Sequence, residues 1–157
     1  FRIIGLGALK YFILKVDPKK RMLFNPQESI DFNGNTGPFI QYTYARIQSL
    51  LRKADFRSPV IHQSSAHSIQ TIEKSILKLL YEYPDAVKEA GDNYNPAVIA
   101  NYIYELVKEY NHFYQSIHVL SEPDAALVNF RLQLSYKTGE VIKSSMKLLG
   151  IEVPEKM

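Results

Sequence analysis

The sequence predicts an all-α fold, a bundle of five or six helices that forms a single domain over residues 1–157. Three observations support this prediction. Apolar residues recur at helical spacing in several long segments, turn-forming residues separate these segments, and no segment alternates apolar and polar residues as a strand would. The composition agrees, because 46% hydrophobic and 22% charged residues are ordinary for a packed domain.

The first predicted helix runs from Gly7 to Val16 and ends before Pro18, since proline disfavours helical backbone at the preceding residue. Residues 22–38 have little periodicity, so we expect a connecting segment there. Three of its side chains are expected to pack against the core: Phe24, Ile30 and Phe32.

Proline favours the first turn of a helix, and Pro38 and Pro84 mark two further predicted starts. One helix is predicted over residues 38–54, another over 65–83, and Pro84 is expected to open a short separate helix over 84–90. The inward residues are expected to be Ile40, Ile47, Leu50, Leu51 and Ala54 in the first helix and Ile69, Ile72, Ile76, Leu79 and Leu80 in the second.

The strongest helical pattern follows Asn95 and Pro96, a capping residue and a first-turn proline. Six apolar or aromatic residues then recur at alternating steps of four and three and form one seam: Ile99, Ile103, Leu106, Tyr110, Phe113 and Ile117. The last helix is predicted over residues 123–149 and ends at Gly150.

Composition and charge exclude several classes of protein. The absence of cysteine excludes disulfides and thiolate metal sites, and no apolar run approaches the roughly 20 residues of a membrane span. Residues 1–57 carry ten Lys or Arg against four Asp or Glu, which suggests a polyanionic partner, although a solvated lysine-rich surface would look the same. Because the chain begins at Phe1 inside an apolar run, we expect a piece excised from a longer protein.

The sequence contains no pattern that indicates catalysis. The pair Gly5 and Gly7 lacks a third glycine and a preceding strand, so it does not predict a dinucleotide site. The four histidines, His62, His67, His112 and His118, lack the spacing of metal ligands. We therefore expect no catalytic and no metal-binding residue in this chain.

Aromatic residues at the edges of helices are the remaining functional signal. Phe39, Tyr42 and Arg46 share one side of the helix over 38–54. Asn111, Tyr114 and His118 share a flank outside the apolar seam of the helix that follows Pro96. Flat rings, a guanidinium and an amide can hold unpaired RNA bases by stacking and hydrogen bonding. An amphipathic rim over the core would give the same spacing.

Four segments resemble, in order, the C-terminal anticodon-binding region of arginyl-tRNA synthetases: "GALKYFIL" at 7–14, "GNTGPFIQYTYARI" at 34–47, "EYNHFYQSIHVL" at 109–120 and "LLGIEVPEKM" at 148–157. The family's first motif reads Asp-Ala-Leu-Arg. Here Ala8 and Leu9 match it, whereas Gly7 and Lys10 replace the acidic and basic residues.

The resemblance implies a cytoplasmic enzyme that joins arginine to its tRNA with ATP and Mg²⁺ through an arginyl-adenylate. The class I signature motifs of that enzyme belong to a catalytic domain upstream of this region. This chain itself would use no cofactor, would be inactive alone, and would contact tRNA(Arg) and the catalytic domain of the same chain.

The resemblance also implies which residues meet the anticodon loop. Phe39 and Tyr42 match aromatic residues that face the loop, and Tyr114 matches one that positions the anticodon. His118 stands where some relatives carry tryptophan, and Met157 matches a terminal methionine beside the site. From spacing alone we add Arg46, for a phosphate contact or stacking, and Asn111, whereas Gln41 lies on another flank and is expected to be structural.

Two other functions remain open on the sequence. A helical protein-interaction module would use its tyrosine-rich faces as contact hot spots and bind no nucleic acid. A related class I synthetase specific for another amino acid would share the same helical domain.

Overall fold

The computed structural model describes residues 2–23, 25–57 and 69–157. Over these residues it contains six α-helices, one short 3-10 turn and no strand, which confirms the predicted all-α bundle. In chain order, the elements are α1 (Arg2–Leu14), α2 (Pro26–Ser29), α3 (Gly37–Lys53), α4 (Thr71–Asp92), α5 (Pro96–Ser116), the 3-10 turn (Val119–Ser121) and α6 (Ala125–Leu148). None of the described helices is long and apolar enough to cross a bilayer.

The helix α5 lies at the centre of the bundle and contacts α1, α3, α4 and α6. Its predicted apolar seam is confirmed, because all six side chains are at most 8% exposed. The helix α3 is packed between α1 and α6 and also touches α5. Its predicted core residues Ile40, Ile47, Leu50 and Leu51 are buried. These contacts fix α3 and α5 relative to each other.

Capping side chains determine where three helices begin. Thr36, Asn95 and Asp124 each accept a hydrogen bond from a backbone N–H two or three residues further on, at the starts of α3, α5 and α6. Gly150 has a φ of +67°, a conformation that glycine adopts readily, and ends α6 as predicted. The observed ends of α3 and α6 lie within two residues of the predicted ones.

The predicted break at Pro84 is wrong, because α4 continues through it to Asp92. Pro84 faces solvent, so water can bond the carbonyl that the missing N–H leaves without a partner. Apolar residues on both sides of Pro84, among them Leu80 and Val87, pack against the core and hold the helix together. The predicted start of this helix at Ser65 lies outside the described residues.

The predicted packing of Ile30 and Phe32 is also wrong, since these side chains are 53% and 50% exposed. Hydrogen bonds hold this segment instead. The side chain of Asn25 caps α2, and the Lys15 ammonium donates to the carbonyl of Asn35 at 2.9 Å. An irregular segment can be fixed by its polar groups, so apolar residues in it need not be buried. Phe24 lies outside the described residues.

A buried ion-pair network ties α4 to α6. The guanidinium of Arg131 donates to Glu73 and to Glu122, each at 2.8 Å, and the Arg131 and Glu73 side chains are almost completely buried. Glu73 also accepts from the backbone N–H of Gln70 at the start of α4. The buried charges are therefore paired and hydrogen-bonded, as burial requires.

The first helix begins at Arg2, five residues before the predicted start, and crosses α3 at a contact between two glycines. A Cβ added to Gly37 would lie 2.6 Å from the backbone oxygen of Gly7. Real Cβ atoms do not approach so closely, so only glycine allows α1 and α3 this separation. The crossing fixes the start of α3.

We expect Gly37→Ala to lower the free energy of unfolding by about 1–3 kcal/mol, because the new methyl group forces two backbones apart. Gly5→Ala is the matched control, since a Cβ at Gly5 meets nothing within 4 Å. Alanine in an exposed helical position should raise the free energy of unfolding by about 0.5–1 kcal/mol. Urea unfolding followed by circular dichroism measures both values, and equal stability of the two variants would contradict the crossing described here.

Candidate nucleic-acid interface

Two neighbouring helices, α3 and α5, form the surface that carries most of the candidate residues. Near its start, α3 reaches α5 through Phe39 and Tyr104, whose ring centroids are 6.2 Å apart. Two turns later, Arg46 reaches Tyr114. Both helices therefore run in the same direction, and side chains of α3 and α5 meet in order along the groove between them.

Arg46 lies between two tyrosine rings. Its guanidinium carbon is 4.7 Å from the ring centroid of Tyr42 and 5.0 Å from that of Tyr114. Both distances are within the range of a cation–π interaction. Tyr42 is 42% exposed, whereas Tyr114 and Arg46 are half-buried. The predicted grouping of two rings and a guanidinium is thus present at the surface.

Asn111 fixes the position of Arg46 by a hydrogen bond from the buried side of the groove. The sequence placed Asn111 on an open flank, but its side chain is only 7% exposed, so this expectation is wrong. The amide oxygen accepts from the Arg46 guanidinium at 2.5 Å, and the amide nitrogen donates to Thr43 Oγ1 at 2.8 Å and to the Val107 carbonyl at 2.9 Å. These protein partners occupy both ends of the amide. We call Tyr42, Arg46, Asn111 and Tyr114 the ring–cation cluster.

Tyr114 rests on the buried ring of Tyr110, with centroids 6.4 Å apart. Tyr110 donates its hydroxyl hydrogen to Ser135 Oγ at 3.0 Å, and burial raises the pKa of its phenol. The phenol therefore stays neutral, as a core residue should. The Tyr114 ring thus contacts both the buried Tyr110 ring and the Arg46 guanidinium.

Phe39 forms a second aromatic pair, with Tyr104, a residue that the sequence analysis did not single out. The ammonium of Lys108 lies 5.8 Å from the Tyr104 ring centroid. A sequence signal for Tyr104 did exist, because positions 104 and 111 are seven residues apart, about two helical turns, and share one face of α5. That face could be recognised as functional only after its docking against α3 was known.

His118 lies just beyond α5, at the start of the 3-10 turn, and its side chain is exposed. It lines an open hollow of about 180 Å³ together with Lys53 and Tyr114. The structure therefore brings His118 next to the ring–cation cluster.

The C-terminal tail passes along another side of α3. Gln41 is fully buried and donates to the carbonyl of Glu152 at 2.8 Å, which confirms its predicted structural role. Arg52, three turns further along α3, donates to the carbonyl of Glu155 at 3.3 Å. Met157 follows and is 45% exposed. Its position next to the aromatic residues stays a prediction.

The groove can hold flat, electron-rich groups that carry negative charge. It offers exposed ring faces, a fixed guanidinium in the ring–cation cluster, and the ammonium groups of Lys53 and Lys108. Nucleotides have both required properties, a flat base and an anionic phosphate. Among the described residues, no group of three or more His, Cys, Asp or Glu could hold a metal ion.

Curated proteins similar to this chain are arginine–tRNA ligases. The ligase of Parabacteroides distasonis is 58% identical over 158 residues, a match that covers 99% of this chain and 26% of the relative. The ligase of Flavobacterium psychrophilum is 57% identical, with 100% and 26% covered. The chain therefore spans about a quarter of the length of these relatives.

Solved structures similar to this chain are arginyl-tRNA synthetases. The Thermus thermophilus arginyl-tRNA synthetase has a TM-score of 0.87 and 33% identity, and the match covers 99% of this chain and 27% of that one. The Plasmodium falciparum arginyl-tRNA synthetase has a TM-score of 0.80 and 25% identity, with 99% and 27% covered.

A family model described as the DALR anticodon binding domain matches residues 40–157. The match begins after α1, the helix in which Gly7 and Lys10 depart from the family's first motif, and includes α4, α5, α6 and nearly all of α3. The chain belongs to the DALR anticodon binding domain family.

Proposed function

We propose that this chain binds the anticodon loop of tRNA(Arg) as the C-terminal domain of an arginine–tRNA ligase. The observation that supports this most directly is the ring–cation cluster, a fixed guanidinium between Tyr42 and Tyr114 at the protein surface. The membership in an anticodon-binding family and the identity of 57–58% to arginine–tRNA ligases support the choice of RNA over a protein partner.

Stacking on the exposed rings would replace the base–base stacking that the loop loses when it opens. An anticodon loop is read when its bases leave their own stack and expose their edges. Tyr42 is the more exposed ring and offers a face to one such base. Tyr114 is half-buried on Tyr110 and offers a more rigid edge. Together the two rings would hold the loop in an opened conformation.

Arg46 supplies positive charge in a fixed place. A guanidinium carries five N–H donors, and its Nη1 is hydrogen-bonded to Asn111. Other donors remain for a phosphate or a base edge. Asn111 acts through Arg46 as a positioning residue, because its own amide is buried and occupied. His118 and Met157 would contact the loop from the edges of the site.

The catalytic activity would belong to a part of the parent enzyme outside these 157 residues. The proposed parent protein joins arginine to tRNA(Arg) in the cytoplasm, using ATP and Mg²⁺ in an upstream catalytic domain. The present chain would bind the anticodon end of the tRNA, and the upstream catalytic domain would carry out the reaction.

We expect Tyr42→Leu and Tyr114→Leu each to weaken binding of a tRNA(Arg) anticodon stem-loop by roughly 5- to 150-fold, the range that corresponds to one stacked base. Leucine keeps apolar volume but lacks a flat face. Fluorescence anisotropy with a labelled stem-loop gives the dissociation constants. The matched control is Tyr81→Leu, because Tyr81 is an 83% exposed tyrosine on α4, a helix that does not form the groove. Unchanged affinity in both site variants, with native helical content, would exclude this site.

Two substitutions of Arg46 separate its charge from its shape. Arg46→Lys keeps the charge but loses the flat guanidinium held by two rings, so we expect an affinity loss of about fivefold with an unchanged salt dependence. Arg46→Gln also removes the charge, so the slope of log K against log salt should decrease by about one unit if Arg46 meets a phosphate. Titrations at four salt concentrations measure both quantities. Identical slopes for the wild type and Arg46→Gln would rule out the phosphate contact.

A further inference from the structure

The groove between α3 and α5 continues beyond the ring–cation cluster toward the start of α5. Tyr104 precedes Tyr114 by ten residues, which is about 15 Å along a helix that rises 1.5 Å per residue. A single base cannot rest on both tyrosines across that distance. The group that meets Tyr104 is therefore different from the group that meets Tyr114.

The outward residues around Tyr104 are polar or charged. Asn101, Tyr104 and Lys108 follow each other at steps of three and four and share one face of α5. Tyr104 is half-buried, and Asn101 and Lys108 are exposed. The ring thus stands between two polar side chains at the surface of the groove.

Lys108 has only a weak partner within the protein. Its ammonium pairs with Glu105 one turn earlier, and about half of each side chain is exposed. Exposed pairs at this spacing are screened by water and contribute little to stability, so a phosphate can replace the carboxylate easily. The hydrogen bond to Glu105 raises the pKa of Lys108 and keeps it charged.

More positive charge lies beyond Tyr104 in the same direction. Lys15 and Lys20 line an open hollow of about 410 Å³ that also includes Asn101 and one carboxylate, that of Asp17. A strand that leaves the ring–cation cluster along α5 would therefore pass Tyr104 and Lys108 and then reach these two lysines. Cationic side chains in a row along a groove can bind successive phosphates of a nucleic acid backbone.

We propose that Phe39, Tyr104 and Lys108 form a second nucleotide-binding subsite, in which a base lies against Tyr104 and its phosphate meets Lys108. The proposal rests on the proposed tRNA binding and adds a contact to another nucleotide of the same strand. The subsite extends the RNA-binding surface from the ring–cation cluster toward the basic end of the groove.

The test uses Tyr104→Leu and Lys108→Gln with tRNA(Arg) anticodon stem-loops in which each loop base in turn is replaced by an abasic nucleotide. We expect each variant to weaken binding of the intact stem-loop by about fivefold or more. Lys108→Gln should also lower the salt slope by about one unit. Lys78→Gln is the matched control, because Lys78 is an exposed lysine paired with a carboxylate on α4.

The abasic series identifies which nucleotide each ring contacts. Tyr104→Leu should lose its effect when one loop base is missing, and Tyr114→Leu should lose its effect at a different base. If both rings lose their effect at the same base, the second subsite is excluded.

Two other outcomes separate this proposal from the proposed function. If Tyr42→Leu weakens binding while Tyr104→Leu and Lys108→Gln do not, the second subsite is wrong and anticodon binding stands. If these three variants and Tyr114→Leu all leave binding unchanged, both proposals are wrong. Because Lys108→Gln changes an exposed side chain, it keeps the test valid even if Tyr104→Leu is unstable.

Discussion

The amide of Asn111 fixes the arrangement of the groove, and its orientation is forced. Thr43 donates its only hydroxyl hydrogen to the Phe39 carbonyl at 2.9 Å, so the Thr43 oxygen can only accept from Asn111. The amide nitrogen must therefore face Thr43, where it also reaches the Val107 carbonyl. The amide oxygen is left to accept from Arg46. One buried side chain thus joins α3 to α5 and determines where the guanidinium lies.

A guanidinium held in this way differs from one on a free surface. A free arginine side chain has about 2 kcal/mol of rotamer entropy, part of which is lost when it binds a ligand. Here the two tyrosine rings and Asn111 already restrict Arg46 in the unbound protein. Binding then requires less ordering, which is how preorganised sites gain affinity. The surface chemistry of the groove depends on this buried polar contact.

Local sequence signals predicted much of the fold. Caps and prolines marked the starts of α3 and α5 because both act through nearby backbone groups. The apolar seam of α5 was visible because every side chain on it is buried. Pro84 misled the prediction, since packing on both sides of it outweighed a local helix-breaking tendency.

The candidate site was predictable only within each helix. Helical spacing placed Tyr42 and Arg46 on one side of α3, and the structure confirms that they meet there. Spacing cannot show which flank of α5 faces α3, because that depends on the packing of the whole bundle. For this reason Asn111 appeared exposed although it is buried, and the aromatic partner of Phe39, Tyr104, was overlooked.

The register of α3 explains how residues outside the groove control it. Successive residues of a helix are rotated by about 100°, so neighbours point to different surroundings. Gln41 points to α1 and the tail and donates to the carbonyls of Ile3 and Glu152, at 3.3 Å and 2.8 Å. Tyr42, the next residue, points to the groove. A rotation of α3 by one residue would turn Tyr42 to the position that Gln41 occupies, against the tail, and take it out of the groove.

The contact between Gly7 and Gly37 prevents that rotation, because any other residue of α3 would bring a Cβ into the backbone of α1. The tail adds a second restraint at Arg52, fifteen residues beyond Gly37. The helix α1 and the tail therefore hold α3 at both ends in the one register that presents Tyr42 and Arg46 to α5. In the proposed RNA binding, the contribution of these contacts is to set that register.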